Sequence, residues 1–167
     1  MALSLYDASV SVFIRGLDQL THVLGKGLEH AQAQGLDTAT LVNARLAPDM
    51  LTLAGQVQRA SDAAKLAAAR IGGFTAPSFA DTETTYDELL ARVAKTRDFL
   101  AGVDRASIEG QESREVRLKV GEGEIVFDAQ RYLLQFAIPN FFFHVTTAYD
   151  VLRHLGVPVG KRDFLGR

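Results

Sequence analysis

The sequence predicts a mainly α-helical protein, an antiparallel four-helix bundle with a small β-hairpin inserted before the last helix. Three observations on the residues alone predict the helices, the hairpin and a single domain. Apolar residues recur every three or four positions in four segments, which is the period of an amphipathic helix. Between the third and fourth segments the period changes to two around a glycine-rich turn. The 167 residues, 47% hydrophobic and 23% charged, suit one core, so we expect a single domain over residues 1–167.

The first two helices are delimited by glycine, aspartate and proline. The first helix ends at Gly35, a residue type that commonly ends helices, and the second opens at Asp37, a good N-cap. Because Pro48 interrupts the second segment, we expect a short opening turn and then a long helix that begins near Pro48. Gly72–Gly73 closes that helix, and residues 74–84 are predicted to form a surface loop.

The third helix and the hairpin carry clear local signals. Thr85 and Glu88 have the spacing of a capping box, so the third helix begins there, and its end is expected within Gly102–Asp104. Before the Gly121–Gly123 turn, Val116, Leu118 and Val120 alternate with charged residues, and after the turn Ile125 and Phe127 alternate with Val126. This pattern predicts a β-hairpin.

The fourth helix is predicted to begin after Asp128 and to end at Gly156, with a kink at Pro139. A short tail follows. Its charged segment Lys161–Asp163 could bind an anion or could hold the tail in place by ion pairs. The adjacent pair Phe164–Leu165 favours the second explanation, because a free tail would expose two large apolar side chains.

Composition and charge exclude several function classes. The chain has no cysteine, which removes thiolate zinc sites, cysteine nucleophiles and redox pairs. A net charge of −2 gives no bias toward nucleic acid or an anionic membrane. The run from Tyr132 to Tyr149 lacks charged residues but contains several polar ones that would be costly in lipid, so we expect a helix buried in protein and no membrane span. No targeting signal is visible, and the expected location is the cytoplasm.

His144 is the most informative of the four histidines. It lies in the most apolar part of the chain, where a buried imidazole needs hydrogen-bond partners. A ligand pocket would supply them, and so would a neighbouring core residue. Asn140 and Thr147 complete an uncharged polar set around His144 on the last helix. For the other three histidines we expect surface or helix-end positions without a site: His22, His30 and His154.

Asp49 and Gln56 are the candidate partners of His144 from the second helix. They are seven residues apart and would therefore share a helix face. If that face meets His144 inside the bundle, an acid, an amide and an imidazole converge. Asp49 is equally explained as an acidic residue in the first turn of a helix that begins at Pro48. No nucleotide-binding loop, hydrolase motif or Glu-x-x-His di-iron motif is present.

Several segments resemble an uncharacterised bacterial and fungal family of unknown function in the DinB-like (YfiT-like) superfamily. The most specific are a helix with the pattern PNFxFHxTTAY and a tail with the pattern GVPxGKRDFLG. The resemblance covers essentially the whole chain through these segments: Asn43–Met50, Gln56–Gln58, Pro139–Tyr149, Leu152–Val157 and Gly160–Gly166.

The resemblance implies a DinB-like antiparallel four-helix bundle that is often a homodimer. Many members of the superfamily bind a divalent metal through three histidines, one on the second helix and two placed four apart on the last helix, and some transfer groups to small thiols. His144 matches the first histidine of the last-helix pair, but the position four later is Ala148. The second helix, residues 37–71, contains no histidine.

We therefore expect a protein without a cofactor or metal that binds a small ligand or a partner near His144. Two alternatives stay open. One is an enzyme with a divalent metal such as zinc or nickel, held by His144 with Asp49 and with Gln56 as a further oxygen ligand. The other is a structural protein whose function is to form a homodimeric interaction surface.

Overall fold

The structure is a computed structural model that describes residues 3–166. Its described part is mainly helical and contains one two-stranded antiparallel sheet, as predicted. The elements follow in this order along the chain: α1 (Leu5–Ala8), α2 (Val10–Gln34), α3 (Thr38–Val42), α4 (Leu53–Gly72), α5 (Tyr86–Ala101), α6 (Arg105–Ile108), β1 (Glu115–Val120), β2 (Gly123–Asp128), α7 (Ala129–Tyr132), a π-helical turn (Leu133–Ala137), α8 (Ile138–His154) and α9 (Lys161–Leu165).

Four long helices surround the core. Helix α2 packs against α5 and α8, and α4 packs against the same two helices, so the neighbours form a cycle. This neighbour pattern is what the predicted four-helix bundle requires. The face of α4 toward the core is made largely of alanine, whose small side chain lets α8 approach closely; the fully buried ones are Ala60, Ala64, Ala67 and Ala68.

Several predicted boundaries are confirmed. Gly35 ends α2 with φ 63°, and Gly73 ends α4 with φ 72°, both in the left-handed region that favours glycine. The capping box at the start of α5 is present, with the Thr85 hydroxyl accepting a hydrogen bond from the Glu88 N–H. In the hairpin, Val120 pairs with Gly123 across the turn. Local hydrogen-bonding chemistry therefore sets these ends.

The start of α4 differs from the prediction. The helix begins at Leu53, capped by the Thr52 hydroxyl, which accepts a hydrogen bond from the Gly55 N–H. Pro48 lies instead in a loop, which is closed by a hydrogen bond from the Leu53 N–H to the Ala44 carbonyl at 2.8 Å. A hydroxyl that can satisfy a free N–H is a better helix start than a proline that only fixes φ.

The last helical region accommodates Pro139 through a π-helical turn. The Ile138 N–H donates to the Leu133 carbonyl, five residues back. Pro139 then lies in the first turn of α8, where a missing N–H has the least effect. Asp128 caps the short α7 that leads into this region, as predicted for the start of the fourth helix. Within residues 3–166, no helix has the combination of length and apolar character needed to cross a membrane.

Candidate functional site

The central contact of the candidate site joins α8 to α4. The imidazole Nδ1 of His144 lies 2.8 Å from the side-chain oxygen Oε1 of Gln56, whose residue is only 2% exposed. The amide nitrogen of Gln56 donates to the Leu51 carbonyl. Since Gln56 uses its nitrogen as a donor there, its oxygen accepts, and we assign the proton of neutral His144 to Nδ1. Nε2 then carries a free lone pair.

The environment keeps His144 neutral. Burial lowers the pKa of His144 below its usual 6.5, and the nearby positive charge of Arg59 lowers it further. At neutral pH the ring is therefore a hydrogen-bond donor at Nδ1 and an acceptor at Nε2. Nε2 has no hydrogen-bond partner among the described residues, whereas Nδ1 is held by Gln56. His144 is thus oriented by one nitrogen and free at the other.

His144 lies on the wall of a pocket of about 250 Å³ between α4 and the segment that runs from the end of α7 through the π-helical turn into α8. Asn140, one helical turn before His144, lies on the same wall, and its side chain makes no hydrogen bond to another described residue. The polar and charged lining residues come from both sides of the pocket: Arg59, Asp62, Arg70, Tyr132, Asn140 and His144. The remaining lining is apolar: Ala63, Leu66, Phe136 and Ala137.

Two of the five predicted site residues are placed elsewhere. Asp49 is exposed in the loop before α4 and makes no hydrogen bond to Gln56 or His144 in the structure. The prediction that Asp49 shares a helix face with Gln56 is wrong, because α4 begins only at Leu53. Thr147 is buried but is not on the pocket wall, and its hydroxyl donates to the Phe143 carbonyl within α8.

The metal site implied by the superfamily does not fit these residues. Ala148 is fully buried at the position where a second imidazole would be needed, and Gln56 offers an amide oxygen that is already bonded to His144. One imidazole is too few ligands for a closed site, and Asp62, the carboxylate on the pocket wall, is already bonded to Lys65 and Arg92. In the part of the chain that the structure describes, no three histidine, aspartate or glutamate side chains cluster in a way that could hold a metal ion.

Sequence analysis missed the two arginines of the pocket. Arg59 and Arg70 lie on the same face of α4 as the apolar residues Ala63 and Leu66, at intervals of three and four residues. Gln56 is three residues before Arg59 on this helix. The signal in the sequence is the helical spacing that places Gln56, Arg59 and Arg70 on one face. This spacing becomes informative only once the start of α4 is known.

A buried ion network borders the pocket at Asp62. The Arg92 side chain is 1% exposed and contacts Asp62 at 3.1 Å, Asp81 at 3.0 Å and Glu83 at 2.9 Å. Lys65 is also buried and contacts Asp62 at 2.7 Å. This network attaches the loop before α5, which supplies Asp81 and Glu83, to α4 and α5.

The pKa of Glu83 reflects its position in the ion network. Burial acts to raise this pKa, but hydrogen bonds from Arg92 and Gln58 outweigh burial and hold it below 4.5. Glu83 is therefore ionised at neutral pH and contributes a full negative charge to the network.

The tail is held on α2, as the sequence favoured. The His22 Nε2 lies 3.0 Å from the Asp163 carboxylate, and Arg15 donates to the Leu165 carbonyl at 3.1 Å. The ring of Phe164 meets that of Tyr149 edge to face, at 5.7 Å between centroids. His154 is exposed at the end of α8, where the sequence analysis placed it.

Comparison with known proteins gives the family but no activity. A family model described as a domain of unknown function, DUF1993, matches residues 5–165. The chain is similar to a crystal structure of a DinB family member protein from Shewanella denitrificans, with a TM-score of 0.89 and 38% sequence identity over 98% of this chain and 92% of that one. No curated protein matches the sequence. The chain therefore belongs to the DUF1993 family of unknown function and has a DinB-like fold.

Proposed function

We propose that this protein binds a small molecule, without a metal, in the pocket between α4 and α8. The observation that carries the proposal is the hydrogen bonding of His144: Gln56 holds the ring through Nδ1, and Nε2 has no partner among residues 3–166. His144 is half-buried and its Nε2 is not among the buried polar atoms that lack a partner, so this nitrogen is accessible to a molecule that enters the pocket. Here the second nitrogen belongs to a residue on the pocket wall, beside the unpartnered amide of Asn140.

A screen of uncharged fragments by NMR tests the proposal. We expect some fragments to shift the backbone amide signals of residues around the pocket, with Asn140 and His144 among them. The variant His144→Ala should abolish these shifts, and His154→Ala, which removes an exposed histidine from the same helix, should leave them unchanged.

The folded state of His144→Ala needs its own control. Removing the imidazole leaves the buried Gln56 oxygen without its partner, which costs about 1–3 kcal/mol. The double variant His144→Ala with Gln56→Leu removes that unpaired group and should also lose fragment binding. Shifts that persist in both variants, or a screen that shifts no pocket residue in the wild type, would contradict the proposal.

Two further expectations stay predictions. Elemental mass spectrometry of protein purified without chelator tests the metal-dependent enzyme: near-stoichiometric zinc or nickel that disappears in His144→Ala would favour it over the proposal above. Sedimentation analysis tests the homodimer that the resemblance implies. A monomer at micromolar concentration would remove the structural-dimer alternative.

A further inference from the structure

We infer that the ligand of this pocket is a small organic anion with a short apolar body, a carboxylate whose charge pairs with Arg70. The inference rests on the proposed function, since it names the chemical class that the same pocket would take. Three features of the pocket point to it: its charge balance, the partners of Arg70 and the apolar lining between its two ends.

The charges on the pocket wall leave an excess of positive charge. The ionisable lining residues other than His144 and Tyr132 are Arg59, Arg70 and Asp62. Asp62 belongs to a network in which three cations face three carboxylates: Arg59, Lys65 and Arg92 with Asp62, Asp81 and Glu83. Arg59 lies 3.9 Å from Asp62 and 4.0 Å from Asp81, so its charge is balanced there and the excess positive charge of the pocket is that of Arg70. The pocket therefore attracts an anion, although the whole chain carries a net charge of −2.

Arg70 is the arginine with the clearest unused capacity. It is half-buried, and no carboxylate among residues 3–166 lies within ion-pair distance of it. Its guanidinium donates to the Tyr132 hydroxyl oxygen at 3.0 Å. Since that oxygen accepts from Arg70, its own proton is free to donate.

Tyr132 stays protonated and can serve as that second donor. Burial raises the pKa of Tyr132, and the hydrogen bond from Arg70 only partly offsets the effect. A guanidinium and a phenol hydroxyl side by side match the two oxygens of a carboxylate, and hydrogen bonds to an ionised acceptor are the strong ones.

The rest of the pocket fits an apolar body that extends from this end toward His144. Along α4, Ala63 and Leu66 lie between Arg59 and Arg70, and Phe136 and Ala137 face the same space from the other side. Arg59 and Arg70 are about 16 Å apart along the helix axis, at 1.5 Å per residue. At the far end His144 is neutral, so it offers a hydrogen-bond acceptor and no further charge.

Three compounds with the same six-carbon chain test the inference: hexanoate, 1-hexanol and hexylamine. In NMR titrations we expect hexanoate to bind at least about tenfold more tightly than 1-hexanol, because a charge-assisted hydrogen bond is added at constant apolar area. Hexylamine, a cation, should bind more weakly than either. The shifted amides should be those of α4 and of the opposite wall, from Tyr132 through the π-helical turn into α8.

Variants of Arg70 test whether its positive charge is the one that binds the carboxylate. Arg70→Gln should bring hexanoate to within about threefold of 1-hexanol, since the remaining polar contacts are uncharged. Arg153→Gln removes a positive charge from an exposed site on α8 outside the pocket and should keep the full preference. Arg70→Lys keeps the charge without the planar fork and should keep an intermediate preference. An amide spectrum like that of the wild type establishes that each variant is folded. If Arg70→Gln does not fold, the test rests on the intermediate preference expected of Arg70→Lys.

The outcomes separate this inference from the proposed function. If hexanoate and 1-hexanol bound the pocket equally well, the inference of an anionic ligand would be overturned and the proposed small-molecule site would stand. The same would follow if uncharged fragments bound the pocket and hexanoate did not. No binding by any of the three compounds or by the fragments would overturn both. A preference for hexanoate that survives Arg70→Gln would overturn the role of Arg70.

Discussion

Arg92→Met should remove a large part of the stability of this fold. Its guanidinium is 1% exposed and faces three carboxylates, so the substitution leaves Asp62, Asp81 and Glu83 without their shared cation. Removing one member of a buried ion pair costs about 3–5 kcal/mol. The carboxylates are 23%, 37% and 13% exposed, and Asp62 keeps its contact with Lys65, so partial solvation reduces the cost. We expect a loss of about 3 kcal/mol, the lower end of that range.

Urea unfolding followed by circular dichroism measures this loss. The midpoint should fall at an unchanged slope, because the folded structure and its exposed area on unfolding stay the same. Arg97→Met is the matched control: it removes an arginine from the same helix, where a half-exposed side chain pairs with Asp18 on the surface. Surface pairs contribute little, so its midpoint should hardly move. If Arg92→Met lost no more stability than Arg97→Met, the buried network would not hold the loop as described.

Three other predictions address the helices, the network and the tail. Gly25→Ala should stabilise the protein by about 0.5–1 kcal/mol in thermal unfolding, since nothing lies within 4 Å of the added methyl group. Gly16→Ala on the same helix should destabilise it by about 1–3 kcal/mol, because the methyl group overlaps a buried ring of α8. Equal effects of the two substitutions would contradict the packing of α2 on α8. Because the pKa of Glu83 is lowered in the folded protein, its ionised carboxylate stabilises the fold above pH 4.5, and this contribution is lost as the pH falls further. Glu83→Gln should therefore make the free energy of unfolding less dependent on pH in the acid range. An unchanged pH dependence would refute this. Asp163→Asn weakens the contact with His22 and should speed hydrogen exchange in α9; unaltered protection would show that the contact does not hold the tail.

Much of the fold could be predicted because the signals are local. Glycine at the ends of α2 and α4, the capping box of α5 and the two-residue turn of the hairpin each act over a few neighbouring residues. The start of α4 was misplaced because two local signals compete there. Pro48 permits a helix start, but Thr52 provides a hydroxyl that satisfies a free N–H, and the second effect is decisive.

The candidate site could be predicted only in part, because it depends on which helix faces pack against each other. His144 and Gln56 are polar residues among apolar ones, and each therefore needed a partner, which the packing of α8 on α4 supplies. Arg59 and Arg70 are ordinary surface residues by sequence, and they become pocket residues only when a second helix covers the space between them. Similarly, the loop of residues 74–84 looked like a simple connection, although its carboxylates neutralise Arg92 in the folded protein.

The protonation state and the accessibility of His144 can be read from the nitrogen NMR signals of the histidine rings. In protein labelled with ¹⁵N at histidine, we expect neutral His144 to carry its proton on Nδ1 at neutral pH and a pocket-binding fragment to shift its Nε2 signal. The ring of the exposed His154 is the internal control and should not respond. A His144 with its proton on Nε2, or an Nε2 signal that no fragment changes, would contradict the claim that this nitrogen is held open for a ligand.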